Sequence, residues 1–219
     1  MTKVGKLIKN NELVSKIDRV PLEMHPRENS SVRCCVHKDR AVSKYKLMAI
    51  MGYDMNEEED ELKPLSEYAT DAFTHKSPYT NPLTIIPDAC SSCIKVNYSV
   101  TDHCRGCEAR PCELNCPKDS VSLINGKAHI DHSTCVNCGL CKKVCPYHAI
   151  IYMPVPCEEA CPVDAIFKDK NGKEVIDDEK CIYCGKCMSD CPFGAIMEKS
   201  EMVPVMNQIR EGGNFTALV

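Results

Sequence analysis

CVNCGLCKKVCP (residues 135–146) and CIYCGKCMSDCP (residues 181–192) follow one pattern, C-x2-C-x2-C-x3-C-P, without a mismatch. The first three thiolates of such a run wrap a tight loop around one cube-shaped iron-sulfur core. The fourth, standing before the proline, reaches to a neighbouring core. Cys135, Cys138, Cys141 and Cys145 therefore imply a partner half elsewhere in the chain, and so do Cys181, Cys184, Cys187 and Cys191.

The partner of the first run lies upstream, in Cys104, Cys107, Cys112 and Cys116 followed by Pro117, with two extra residues in its loop. Between Cys116 and Cys135, Asn125-Gly126 separates two short alternating stretches and predicts a β-hairpin. The same layout returns between Cys161 and Cys181, with Asn171-Gly172 at the turn, as an internal repeat with a period of about 45 residues. Cys157 and Cys161 have no C-x-x-C directly before them, and Cys90-Ser-Ser-Cys93 is the unassigned one within reach. The reading that closes the count is a ferredoxin-like unit (90–93 plus 157–196) split by an inserted second unit (104–150).

Sixteen cysteines then form four sets of four. Crossing of the fourth ligand groups Cys104, Cys107 and Cys112 with Cys145, and Cys135, Cys138 and Cys141 with Cys116. It also groups Cys181, Cys184 and Cys187 with Cys161, and Cys90, Cys93 and Cys157 with Cys191. The expected cofactors are four 4Fe-4S clusters. Three clusters plus free thiols is the alternative for the last set, and zinc held by four thiolates is the alternative for any C-x-x-C. Two complete runs within a repeat favour iron-sulfur.

Composition bounds the rest. The 219 residues contain 18 Cys, no Trp and 5% aromatic residues, so a large conventional core is not expected and metal staples are. No secretory leader or membrane-length apolar run is present, which predicts a cytoplasmic chain whose cysteines bind metal rather than pair as disulfides. The net charge of -4 becomes more negative once clusters load, which argues against nucleic acid. There is no phosphate loop, H-E-x-x-H, G-x-S-x-G or dinucleotide fingerprint, so the chain carries no recognisable catalytic site.

The fold class expected is α+β, in three parts. Residues 1–85 form a helical N-terminal region, with a helix near 32–51 and then a solvated linker after the acidic run NEEEDE. Residues 86–198 hold the clusters. Residues 199–219, with a short helix after Pro204, a Gly stop and a strand-like FTALV, open a following domain, as in a truncated protein. Cys34 and Cys35 fall on the expected helix, where buried packing is the ordinary role and an extra ligand or redox role the sharper one. His103, His132 and His148 flank the cluster loops, where a solvated role competes with hydrogen bonding to a cluster.

The segments VRCCVHKDRAV and KSEMVPVMNQIREGG, with the cysteine layout from Cys90 to Cys191, resemble the N-terminal region of monomeric, group B type FeFe hydrogenases, from about Arg33 onward. That resemblance implies a wire of clusters feeding a following H-cluster domain. The motifs that hold an H-cluster (T-S-C-C-P, M-P-C, M-A-C-x-G-G-C) are absent, so this chain alone is not expected to make or consume hydrogen. The expected partner is a redox protein or a covalently following catalytic domain. A stand-alone polyferredoxin docking on a separate enzyme is the competing function.

Overall fold

The structure is a computed structural model that describes residues 2–29, 31–78, 80–94, 98–213 and 216. The expected strand within FTALV lies outside the described residues, apart from Thr216. Along the chain run α1 (Thr2–Lys9), α2 (Leu13–Lys16), α3 (Val20–Met24), α4 (Val36–Ile50), α5 (Leu65–Asp71), β1 (Leu83–Ile85) and β2 (Tyr98–Val100). Then come α6 (Pro111–Leu114), β3 (Val121–Ile124), β4 (Lys127–Ile130), α7 (Leu140–Val144), β5 (Ile150–Tyr152) and α8 (Pro156–Glu159). The chain finishes with β6 (Ile166–Lys168), β7 (Glu174–Ile176), α9 (Lys186–Asp190), β8 (Ile196–Glu198) and α10 (Met202–Arg210). The fold is α+β, and among the described residues no helix is long and apolar enough to cross a membrane.

The chain divides into two compact units: residues 1–92 with 156–219, and residues 93–155. In the first, β1 pairs antiparallel with β8, Ile85 opposite Ile196, so the strands that close the unit are far apart in sequence. Its hairpin pairs β6 with β7, Ile166 opposite Ile176. In the second unit β2 pairs with β5, and β3 with β4.

The helical region has a real core, contrary to the expectation from composition. Val4, Ile8, Leu13, Ile17 and Val20 of the first three helices are buried with Val42, Tyr45 and Met48 of α4. Each large aliphatic side chain buried this way contributes roughly 1.5–3 kcal/mol. The expected solvated linker is also corrected. It contains α5, whose Leu65, Tyr68 and Ala69 are buried at helical spacing with Ala72, the residue that caps it. Tyr53 Oη donates to the Tyr68 carbonyl at 2.9 Å, and its ring stacks on His75 at 3.9 Å.

Helix α4 begins later than residue 32, for a local reason. Asp39, 1% exposed, accepts from the Val32 amide at 3.0 Å and from Arg33 at 3.2 Å, drawing 32–33 back over the first turn. Cys35 is then the extended N-cap residue. Cys34 and Cys35 thus precede the helix and are exposed, which overturns their placement as buried helical residues.

The two hairpins differ. Asn125 and Gly126 both have positive φ (52° and 77°), the type I′ turn that a two-residue loop requires. In the other, Asp169 N–H bonds to the Lys173 carbonyl at 2.7 Å and only Gly172 (φ 76°) is left-handed, making a three-residue loop. The exit helix α10 starts at Met202, before Pro204, and ends at the left-handed Gly212. It lies on α1, where Met206 approaches Gly5 and Arg210 bonds to Asn11 at 2.7 Å.

Candidate metal centres

Four C-x-x-C segments put their third residue in the left-handed region: Ser92 (φ 51°), Gly106 (57°), Asn137 (56°) and Tyr183 (57°). Four C-P segments do the same three residues after the cysteine, at Asp119 (50°), His148 (50°), Asp164 (50°) and Gly194 (57°). For non-glycine residues this conformation costs roughly 1–2 kcal/mol each. Strain of this kind persists only where surrounding structure imposes it, and it gathers at functional sites.

The turn after three of these four C-P segments delivers an amide to the sulfur. Sγ of Cys116, Cys145 and Cys161 accepts from the backbone N–H four residues on, Ser120 at 3.3 Å, Ala149 at 3.4 Å and Ala165 at 3.2 Å. Cys104 Sγ accepts from Ala128 N–H at 3.3 Å, across the β3–β4 hairpin. Such donors stabilise thiolate charge and are a lever on cluster potential. For Cys116, burial opposes ionisation, but the amides of Lys118, Ser120 and Val121 outweigh it and hold the thiol below its ordinary value.

In the second unit, Cys116, Cys135, Cys138 and Cys141 line one small cavity, walled by Val121, Ile130 and Val136. Burial raises Cys141, and the thiols of Cys135, Cys138 and Cys116 add to that rise. Cys112 is raised first by burial and further by Cys107 and Cys145, so these three sulfurs neighbour one another.

In the first unit, Cys161, Cys181, Cys184 and Cys187 line a small cavity among Leu83, Val163 and Ile176. Burial pushes Cys187 up to about 11, with Cys181, Cys161 and Cys184 contributing. Cys157 is pushed up to about 12 by burial, then by Glu174 and Cys191. Cys90 and Cys191 both border the helical core. Cys93, of intermediate exposure, stands where the second unit begins.

Among the described residues, no three His, Cys, Asp or Glu side chains form a group that could hold a metal ion. The cysteines instead border voids. Soft thiolates around an apolar-walled void fit a 4Fe-4S core, in which each iron takes one thiolate. Buried neutral thiols would become ligands by releasing their protons to solvent as the core binds, its iron supplying the compensating charge.

Outside these sets, Cys34 and Cys35 lie with sulfurs 3.9 Å apart, and the Cys35 thiol is lowered by the Lys38 amide and then by Cys34. His103, His132 and His148 are exposed. Sequence reasoning missed the repeated left-handed residues, although the third residue of these four C-x-x-C segments was open to inspection. It also missed Lys173, which bonds to the carbonyls of Pro87 (3.0 Å) and Cys90 (2.8 Å), and Lys168, which pairs with the buried Glu174 beside Cys157.

Residues 128–151 match a 4Fe-4S binding domain, and residues 151–202 match the LdpA Fe-S cluster-binding domain. The chain contains a 4Fe-4S ferredoxin-type region. It is 45% identical over 53 residues to dihydromethanopterin reductase (acceptor) of Methanosarcina mazei, covering 24% of this chain and 22% of that protein. It is 37% identical over 62 residues to the electron transport protein HydN of Escherichia coli, covering 27% and 35%. Formate hydrogenlyase subunit 2 of Escherichia coli is 38% identical over 47 residues, covering 22% and 23%. The chain thus spans about a fifth to a third of each relative's length. Electron transfer through bound 4Fe-4S clusters is the chemistry of this region.

Proposed function

We propose that the chain is a relay of four 4Fe-4S clusters, held by two ferredoxin-like units nested one inside the other. The fourfold recurrence carries this reading: four C-x-x-C turns and four C-P turns, each with the same left-handed residue. Ser92 supports the contested set, since its φ of 51° matches Asn137 and Tyr183 in the two complete runs. Cys90, Cys157 and Cys191 supply ligands from the first unit, and Cys93 completes the C-x-x-C begun at Cys90. The pairing of β1 with β8 around the intervening residues supports the nesting.

Each bound cluster supplies one-electron chemistry. The protein supplies burial and amide donors to sulfur, which set the potentials. Cys138 and Cys184 are the exposed members of their sets and suit electron entry or departure.

The larger protein served is an oxidoreductase of the cytoplasm, and the FeFe hydrogenase resemblance names it most specifically. Its two characteristic segments both belong to the first unit, each bonded to a stretch outside the other. Arg33 donates to the Phe193 carbonyl at 3.1 Å, and Ser200 N–H to the Ala49 carbonyl at 3.0 Å. The similarity to HydN and to formate hydrogenlyase subunit 2 favours a second reading, an electron-transfer subunit docking on a separate catalytic protein.

Iron, acid-labile sulfide and zinc per chain after anaerobic reconstitution test the relay. About sixteen iron and sixteen sulfide are expected, four of each per cluster. About twelve would refute the fourth set, and zinc without sulfide would refute the relay. An immunoblot of source cells separates the two settings. A band far larger than this chain that co-fractionates with hydrogenase activity supports the first, and a band at the size of this chain supports the second.

A further inference from the structure

The Cys191 turn departs from its three counterparts. Asp119, His148 and Asp164 hold the left-handed position with a side chain, whereas the fourth turn uses Gly194. A Cβ at Gly194 would stand 3.2 Å from Lys46 Nζ, so the glycine makes room for the lysine. Two residues after Cys191, the Phe193 carbonyl accepts from Arg33. Among the described residues, no lysine or arginine side chain is hydrogen-bonded to the corresponding turns at 117–119, 146–148 and 162–164.

The two cations are not equivalent. Arg33 is paired with the buried Asp39 at 3.2 Å, so its charge is largely offset. Lys46, on α4 and half-buried, has no carboxylate within ion-pair reach among the described residues. Burial works against its charge and Arg33 adds to that, while the Cys191 thiolate favours it, so the amine and the sulfur are electrostatic neighbours.

We propose that Lys46 is a positioning residue for electron transfer, a fixed positive charge on the Cys191 turn that raises the potential of the cluster bound there. The inference rests on the reading that Cys90, Cys93, Cys157 and Cys191 hold a cluster. Reduction adds one negative charge to a cluster, and a nearby ammonium in a partly desolvated site favours the reduced form. Helix α4 thereby makes this cluster an electron sink within the relay.

The test uses the reconstituted full chain, comparing wild type with Lys46→Met and Lys46→Arg by EPR-monitored redox titration and iron count. In Lys46→Met, one midpoint should fall so that the reduced-to-oxidised ratio at the old midpoint drops about tenfold, about 59 mV for one electron. The other three midpoints should stay in place, and Lys46→Arg should restore the first. Unchanged midpoints, or a common shift of all four, overturn the proposal. So does a loss of about four iron in Lys46→Met when wild type holds about sixteen, because the lysine is then structural. About twelve iron in wild type instead refutes the four-cluster reading, independently of any variant.

Discussion

Replacing Gly106 by alanine isolates what the packing of one hairpin does for one set of ligands. Gly106 lies between Cys104 and Cys107 with φ +57°, and a Cβ there would fall 2.0 Å from the Gly126 carbonyl oxygen. That is about 1.4 Å inside the 3.4 Å at which ordinary contact begins, and the obstructing atom is backbone. The left-handed conformation costs alanine roughly 1–2 kcal/mol. Forcing loop and hairpin apart adds about 1–3 kcal/mol, the range for overpacking. The shift also draws the Ala128 amide away from Cys104 Sγ, now 3.3 Å distant. Gly126→Ala is the control, since its φ is +77° and nothing stands within 4 Å of the new Cβ. It carries the conformational cost alone. Native-state hydrogen exchange of the β3–β4 amides and iron content read both variants. Gly106→Ala should lower local stability by about 2–5 kcal/mol and lose about four iron per chain, while Gly126→Ala keeps its iron. Equal iron and equal exchange in the two variants would refute the steric argument.

Three further outcomes follow from the same geometry. Ser92→Val places a β-branched residue at φ 51° and should cost one cluster, lowering iron from about sixteen to about twelve, whereas Ser92→Gly should keep all of it; equal iron in both sinks the fourth set. Chelation of the metal should abolish exchange protection in β2–β5, because the core there is Val121, Ile130 and Ile150 with two cysteines, yet leave α4 protected; simultaneous loss in both regions contradicts it. Iodoacetamide on the loaded chain should label only Cys34 and Cys35, with Cys35 reacting faster because its thiol is lowered; peptide mass mapping that finds label on Cys138 or Cys184 would count against ligation there.

The ferredoxin-type runs and the Asn125-Gly126 hairpin were legible because their signals are local: fixed cysteine spacing, and two residues that tolerate positive φ. The start of α4 was not, since it depends on Asp39 reaching back to Val32 and Arg33, a contact that apolar periodicity does not register. Helix α5 was masked by the acidic run before it, although Leu65, Tyr68, Ala69 and Ala72 keep helical spacing. The N-terminal helices were hidden in the same way, their buried Val4, Ile8, Leu13, Ile17 and Val20 set among charges. Lys46 was out of reach altogether, because its meaning comes from Gly194, far along the chain.

The pairing of β1 with β8 bears on how the chain is made. Ile85 leaves the ribosome long before Ile196, so the first unit holds an unfinished edge while everything between them is synthesised. Residues 98–152 need no such wait: β2 finds β5, and β3 finds β4, within their own stretch. Closing the shorter loop first costs less entropy and limits the exposure of unpaired thiols. Ribosome-arrested chains in which residues 98–155 have emerged should therefore already protect β3–β4 against proteolysis; cleavage there at the rate of unfolded chain would show otherwise. Among the N-terminal helices α2 and α3 meet α5 and α4 early, whereas α1 completes its packing only when α10 has been made.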